Sequence, residues 1–69
     1  MRLIRISEAA RLLGVDAETL RRRANKGGEY LEIYGHRIRF FRMDLRPDAE
    51  RRFDADEINR VLVRLRNAR

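Results

Sequence analysis

Residues 7–27 read SEAARLLGVDAETLRRRANKG, two amphipathic segments separated by a Gly-Val-Asp turn. Ser7 and Asp16 each precede one segment, and both residue types accept hydrogen bonds from the free N–H groups of a helix start. A glycine follows each segment and supplies the left-handed residue that commonly ends a helix. The stretch therefore predicts helices over 7–13 and 17–26, joined by a short turn as in a helix-turn-helix.

The middle of the chain favours strands, because β-prone residues and an alternating pattern replace the helical spacing. Residues 37–40 alternate as Arg-Ile-Arg-Phe, the period of a strand with one buried face. A turn is predicted at residues 35–36, and residues 50–53 are predicted to form a returning strand. The adjacent Phe40 and Phe41 leave open which of them faces the core. The pattern predicts a β hairpin or a three-stranded wing.

The last segment has the clearest helix-start signal in the chain. Asp54-Ala55-Asp56-Glu57 is a capping-box pattern, and Phe53 is expected to pack on Ile58 as a hydrophobic staple. These features predict a helix over residues 54–67. Its apolar residues, spaced by three and four and expected to face the core, are Ile58, Val61, Leu62 and Leu65.

Length and composition limit the classes of protein that the chain can represent. A chain of 69 residues has room for one small core, so one domain is expected over 1–69. It contains no Cys and one His, so no disulfide framework, metal site or other cofactor is predicted. Charges interrupt every apolar stretch, so no membrane span is expected and a cytoplasmic location is predicted. A net charge of +6 makes a polyanion the expected partner.

The stretch 7–27 resembles the helix-turn-helix of the MerR and phage-excisionase superfamily. The resemblance rests on Ala10, the Gly14-Val15 turn, Asp16, Thr19-Leu20 and Lys26-Gly27. It implies an α+β fold, a small three-helix winged helix-turn-helix with a β hairpin or three-stranded wing, which binds DNA as in excisionase-like and BldC-like proteins. Relatives commonly have an aromatic residue at the position of Arg23. Their wing is usually shorter than the 25 residues from Glu29 to Phe53.

Candidate DNA contacts follow if the second helix enters the major groove. Residues on its exposed face near the N-terminus would reach base edges, and Arg21 and Arg22 are the best candidates for reading guanine. Glu18 has two interpretations of equal weight, an acceptor for a cytosine amino group or a charge that favours the helix N-terminus. Thr19 and Lys26 are expected to contact phosphate. The predicted contacts in this helix are Ala17, Glu18, Thr19, Arg21, Arg22 and Lys26.

The predicted wing, residues 37–53, also carries cations. At least one of Arg37, Arg39 and Arg42 is expected to touch the DNA backbone or the adjacent minor groove. The alternative is a solvated strand face on which these cations pair with acidic residues. The acids available for that pairing are Glu32, Asp44 and Glu50.

The resemblance and the charge together predict a sequence-specific double-stranded DNA-binding protein, a small transcriptional regulator that could associate head to tail on repeated sites. An excisionase-type architectural factor would use the same domain and stays open. Catalysis is not expected, because the carboxylates mostly occupy helix caps and the chain has one Ser and one His. Two other classes stay open: a protein-interaction module that uses the apolar stripe of the last helix, and an RNA-binding module that stacks bases on Tyr30, Tyr34, Phe40 and Phe41.

Overall fold

The computed structural model describes residues 1–46 and 49–68. Within these residues lie three helices and one antiparallel sheet of four strands, arranged in the order β1-β4-β3-β2. In chain order the elements are β1 Leu3–Arg5, α1 Ile6–Leu13, α2 Ala17–Gly27, β2 Tyr30–Ile33, β3 His36–Arg42, β4 Arg51–Asp54 and α3 Ala55–Asn67. Pro47 and Asp48, which belong to the predicted wing 37–53, lie outside the described residues.

The predicted fold class, a three-helix winged helix-turn-helix, is wrong. The chain begins with β1, which pairs with β4 and adds a fourth strand to the sheet. Its central residue Ile4 is 5% exposed and lies opposite Phe53. β2 and β3 belong to the same core sheet instead of projecting as a wing, since Leu31, Ile33 and Ile38 are buried. A strand of three residues is too short to show a clear alternation of apolar and polar positions, so β1 is recognised only by its pairing with β4.

The three predicted helices are confirmed to within one residue at each end. α1 begins at Ile6, directly after β1, so the prediction that Ser7 caps it is wrong. Arg5 occupies that N-cap position and makes no side-chain capping hydrogen bond. Gly14 ends α1 at φ 74°, a left-handed conformation that glycine adopts without strain. Asp16 occupies the N-cap of α2 as predicted, but its side chain makes no capping hydrogen bond.

The hairpin between β2 and β3 turns at Tyr34 and Gly35, one residue earlier than predicted. Both have positive φ, 54° and 80°, the conformation that a two-residue hairpin of type I′ requires. The Tyr34 hydroxyl donates a hydrogen bond of 2.7 Å to the carbonyl oxygen of Leu13. The tip of the hairpin is therefore attached to the C-terminal end of α1.

The start of α3 connects helix and sheet. The Asp54 carboxylate accepts a hydrogen bond of 2.9 Å from the backbone N–H of Asp56, which confirms the predicted cap. Glu57 instead accepts a hydrogen bond of 2.8 Å from the backbone N–H of Arg39. The pairing of β3 with β4 ends at Phe40 and Phe53, one residue short of Arg39. The Glu57 carboxylate thus satisfies a strand amide that the sheet leaves without a partner.

The core lies between the sheet and the helices, and its largest fully buried side chains are Phe53, Leu20, Leu31, Ile38 and Ile58. Phe40 is 7% exposed and Phe41 is 38% exposed, so Phe40 faces the core, where its ring centroid lies 5.8 Å from that of Phe53. In α3, Ile58 and Val61 are buried, and Leu62 packs against the same cluster with Leu65. Of the helices in the described residues, none is long and apolar enough to cross a membrane.

Candidate nucleic-acid interface

α2 presents most of its circumference to solvent. Its buried residues are Leu20 and Ala24, four positions apart, so one narrow stripe attaches the helix to the core. At about 100° per residue, Arg22 points directly away from the midpoint of that stripe. The other exposed cations of the helix are Arg21, Arg23 and Lys26, against one acidic residue, Glu18. α2 is therefore a helix with a broad basic surface.

The two arginines predicted to reach base edges make local contacts on this surface. Arg21 forms an ion pair of 2.6 Å with Glu18, and Arg22 donates a hydrogen bond of 3.3 Å to the Thr19 hydroxyl. Exposed pairs three residues apart stabilise a helix by only about 0.2–0.5 kcal/mol, so both guanidinium groups can exchange partners at little cost. Ala17 and Thr19 are half-buried, and Ala17 packs against the core, whereas Glu18, Arg21, Arg22 and Lys26 are exposed.

One flank of α2 forms a shallow basic cleft with a volume of about 300 Å³. Arg23, which is one of the residues that line this cleft, donates a hydrogen bond of 3.1 Å to the backbone carbonyl oxygen of Glu32 and so connects α2 to β2. Arg23 thus has a structural role in addition to its charge. The cleft is lined by Thr19, Arg22, Arg23 and Lys26.

The other flank of α2 faces β4 and contains residues that sequence reasoning missed. Arg51 donates a hydrogen bond to the side-chain oxygen of Asn25, and its guanidinium carbon lies 5.2 Å from the centre of the Phe40 ring. The missed signal is the two-residue spacing from Arg51 to the buried Phe53, which puts both on one face of β4. Arg42 lies directly opposite Arg51 in the adjacent strand.

Positive charge accumulates around Arg51. Partial burial, followed by the charges of Arg42 and Arg21, lowers the pKa of the Arg51 guanidinium, which stays protonated because arginine titrates far above neutral pH. Its Nε atom is buried and has no hydrogen-bond partner in the described residues. No carboxylate of residues 1–46 or 49–68 forms an ion pair with it. The cluster is therefore cationic and only partly hydrated.

The structure separates the three cations that were predicted for the wing. The side chains of Arg37 and Arg39 alternate with the buried positions of β3, so they lie on the face of the sheet away from the core. Arg37 is 3.7 Å from the Glu32 carboxylate, and Arg39 is 3.7 Å from that of Glu57. Arg42 shares the core-facing side with Arg51, next to α2. Of the three, Arg42 is thus the residue that the fold brings to the basic helix.

The aromatic residues that could stack bases are divided between the two faces of the sheet and the hairpin: Phe40 faces the core, Tyr30 and Phe41 lie on the outer face, and Tyr34 lies in the turn. Phe40 is buried against Phe53, and the Tyr34 hydroxyl is used to attach the hairpin to α1. The Tyr30 ring is covered by the Arg37 guanidinium, whose carbon lies 4.7 Å from the ring centre. This distribution disfavours a stacking platform for unpaired bases.

Comparisons of the chain with protein-family models, with curated proteins and with solved structures find no match. The residues themselves, their charges and their geometry must therefore indicate the function.

Proposed function

We propose that this protein binds double-stranded DNA in a sequence-specific manner and acts as a small cytoplasmic transcriptional regulator without catalytic activity or a cofactor. The observation that carries the proposal is the surface of α2, a helix attached through Leu20 and Ala24 that exposes four cations. An α-helix with its side chains is about 10–12 Å in diameter, which fits the major groove of B-DNA, about 12 Å wide. The resemblance of residues 7–27 to the MerR and phage-excisionase helix-turn-helix supports the same role as a hypothesis.

Different roles in this binding are proposed for the exposed side chains of α2 and for Arg42 of β3. Arg22 points away from the core and reads guanine through two hydrogen bonds, and Arg21 is the second candidate for this contact. Thr19 and Lys26, on one flank, contact phosphate oxygens and position the helix without reading sequence. Glu18 releases Arg21 on binding and either accepts a hydrogen bond from a cytosine or remains at the helix N-terminus. Arg42 is the proposed backbone contact from β3.

The test begins with selection of bound sequences from a random duplex pool, followed by binding isotherms at several salt concentrations. Arg22→Ala should weaken binding to the selected duplex by about 1–3 kcal/mol and relax base preference at one position, because a bidentate contact to a base is lost. Lys26→Ala should weaken the selected and scrambled duplexes alike. It should also reduce the slope of log K against log salt by about 0.9, the contribution of one neutralised phosphate.

Arg64→Ala is the matched control, since it removes an exposed cation from α3 and leaves α2 intact. Binding of this variant should equal that of the wild type within a factor of about two. Equal loss on every sequence for Arg22→Ala would mean that this residue grips the backbone and reads no base. Tighter binding to single-stranded RNA than to duplex DNA, or no salt-dependent duplex binding by the wild type, would contradict the proposed function.

A further inference from the structure

A cleft with a volume of about 420 Å³ lies where the start of α1, α2 and β4 meet. It is on the flank of α2 opposite to the one formed by Thr19 and Lys26, because Arg21 and Asn25 lie on the other side of the helix. No side chain caps the N-terminus of α1 at this rim, where Ser7 lies. The residues that line the cleft are Arg5, Ile6, Ser7, Arg21, Asn25, Ala49, Glu50 and Arg51.

The acidic residue in this cleft does not neutralise Arg51. The Glu50 carboxylate lies 2.9 Å from Arg52 and 3.3 Å from Arg5, and the hydrogen bond from Arg52 lowers the pKa of Glu50. Glu50 is therefore ionised at neutral pH but already engaged by two guanidinium groups. Arg51 is left beside two further cations, Arg21 and Arg42, with its charge partly removed from water. An anion in the cleft would offset that unfavourable electrostatic free energy.

The Arg51 side chain is also held in place before any ligand arrives. Contact with the Phe40 ring fixes the plane of the guanidinium group, and the hydrogen bond to Asn25 fixes its rotation. A side chain that is already ordered loses less conformational entropy on binding than a mobile surface arginine. Planar guanidinium groups match the oxygens of a phosphate better than a lysine ammonium does.

We infer that this cleft binds one phosphate group of the DNA backbone, with Arg51 as its ligand. The inference rests on the proposed function and adds to it a phosphate contact on the opposite flank of α2. Thr19 and Lys26 lie on one flank of α2 and the cleft lies on the other. A major groove is bordered by the phosphates of both strands, so a helix inserted into it meets phosphate on both flanks. This geometry favours a DNA phosphate over a free phosphate ion as the occupant.

The experiment compares wild type, Arg51→Gln and the control Arg64→Gln on the selected duplex between 50 and 200 mM salt. Arg51→Gln should reduce the salt slope by about 0.9, so its affinity should fall about 3.5-fold less than that of the wild type over this range. In a duplex series with single phosphates replaced by uncharged methylphosphonates, several positions should weaken the wild type, and one of them should depend on Arg51. That same position should have no effect on Arg51→Gln, while Arg64→Gln should behave as wild type.

Thermal unfolding of each variant shows whether it folds, and Asn25→Asp provides a second route if Arg51→Gln does not. The new carboxylate would sit at the oxygen that already accepts from Arg51, so it should pair with this arginine and compete with the phosphate. Asn25→Asp should abolish the effect of the critical methylphosphonate. Asn59→Asp makes the same change of charge on the exposed surface of α3 and should leave duplex binding unchanged.

The possible failures of the two proposals are distinguishable. If the wild type binds duplex and Lys26→Ala reduces the slope, but Arg51→Gln has the wild-type slope, the cleft is not a phosphate site and the proposed function stands. If the wild type shows no duplex binding, both proposals fail. Titration of the wild type with inorganic phosphate, followed through the Arg51 Nε–H resonance in NMR spectra, is the remaining arm. Micromolar binding of phosphate together with an unchanged duplex slope in Arg51→Gln would assign the cleft to a free anion.

Discussion

Replacement of Leu20 by alanine should remove most of the attachment of α2 to the core. Leu20 is fully buried, and deletion of a buried leucine costs about 2–5 kcal/mol of unfolding free energy, depending on how far the cavity can collapse. The other buried residue of α2 is Ala24, and most of those of α1 are Ala9 and Ala10, whose methyl groups have no rotamers that could fill the space. We therefore expect a cost of about 3–4 kcal/mol, in the upper part of that range.

This loss is large compared with the total stability of so small a domain. At about 0.05–0.15 kcal/mol per residue, 69 residues correspond to about 3.5–10 kcal/mol. Each kcal/mol shifts the midpoint of a domain of this size by about 4–8 °C, so the Tm should fall by about 12–30 °C. Far-ultraviolet circular dichroism measures it, with Leu45→Ala as the control because Leu45 is fully exposed. A Tm for Leu20→Ala within about 5 °C of the wild type would refute the role of Leu20 as the attachment of α2.

Two further substitutions test the contacts that connect the elements. Tyr34→Phe removes the hydrogen bond to Leu13 and should lower the unfolding free energy, measured in urea, by about 0.5–1.5 kcal/mol. Tyr30→Phe is its control, since the Tyr30 hydroxyl makes no hydrogen bond in the described residues; equal stability of the two variants would contradict the contact. Asp54→Ala should lower the unfolding free energy by about 1 kcal/mol, because the N-cap of α3 is lost. Asp54→Asn keeps an oxygen that accepts from the Asp56 N–H and should be nearly as stable as the wild type; a similar loss in both variants would point to charge instead of capping.

The helices could be predicted from sequence because their signals are local. Apolar spacing gave the buried face of each helix, and Gly14 marked the end of α1. The exposed basic surface of α2 followed from the same periodicity, once Leu20 was assigned to the core. Capping was predicted less well, since Ser7 lies inside α1 and Asp16 makes no side-chain bond. Such bonds depend on the direction from which the chain enters the helix, and β1 determines that direction for α1.

The sheet could not be predicted because its strands are defined by distant partners. β1 contributes three residues and pairs with β4, about fifty positions later in the chain. The same limitation concealed the basic cleft beside α2. Arg51 is close to Asn25 only because β4 lies next to β3 and continues its core-facing side. No pattern near residue 25 indicates this neighbour, although the spacing from Arg51 to Phe53 gives the correct face of the strand.

The distribution of ion pairs explains how a modest net charge can orient the protein on a polyanion. On the outer face of the sheet, Arg37 and Arg39 lie beside the carboxylates of Glu32 and Glu57, so their fields largely cancel at a distance. Beside α2, Arg21 pairs with Glu18, but Arg22, Arg23, Lys26 and Arg51 form no ion pair with a carboxylate of residues 1–46 or 49–68. The positive potential is therefore stronger on the α2 side than the net charge of +6 alone would suggest. If the proposed function holds, a duplex approaching at low salt would be drawn to that side, and its association rate should rise as the salt concentration falls.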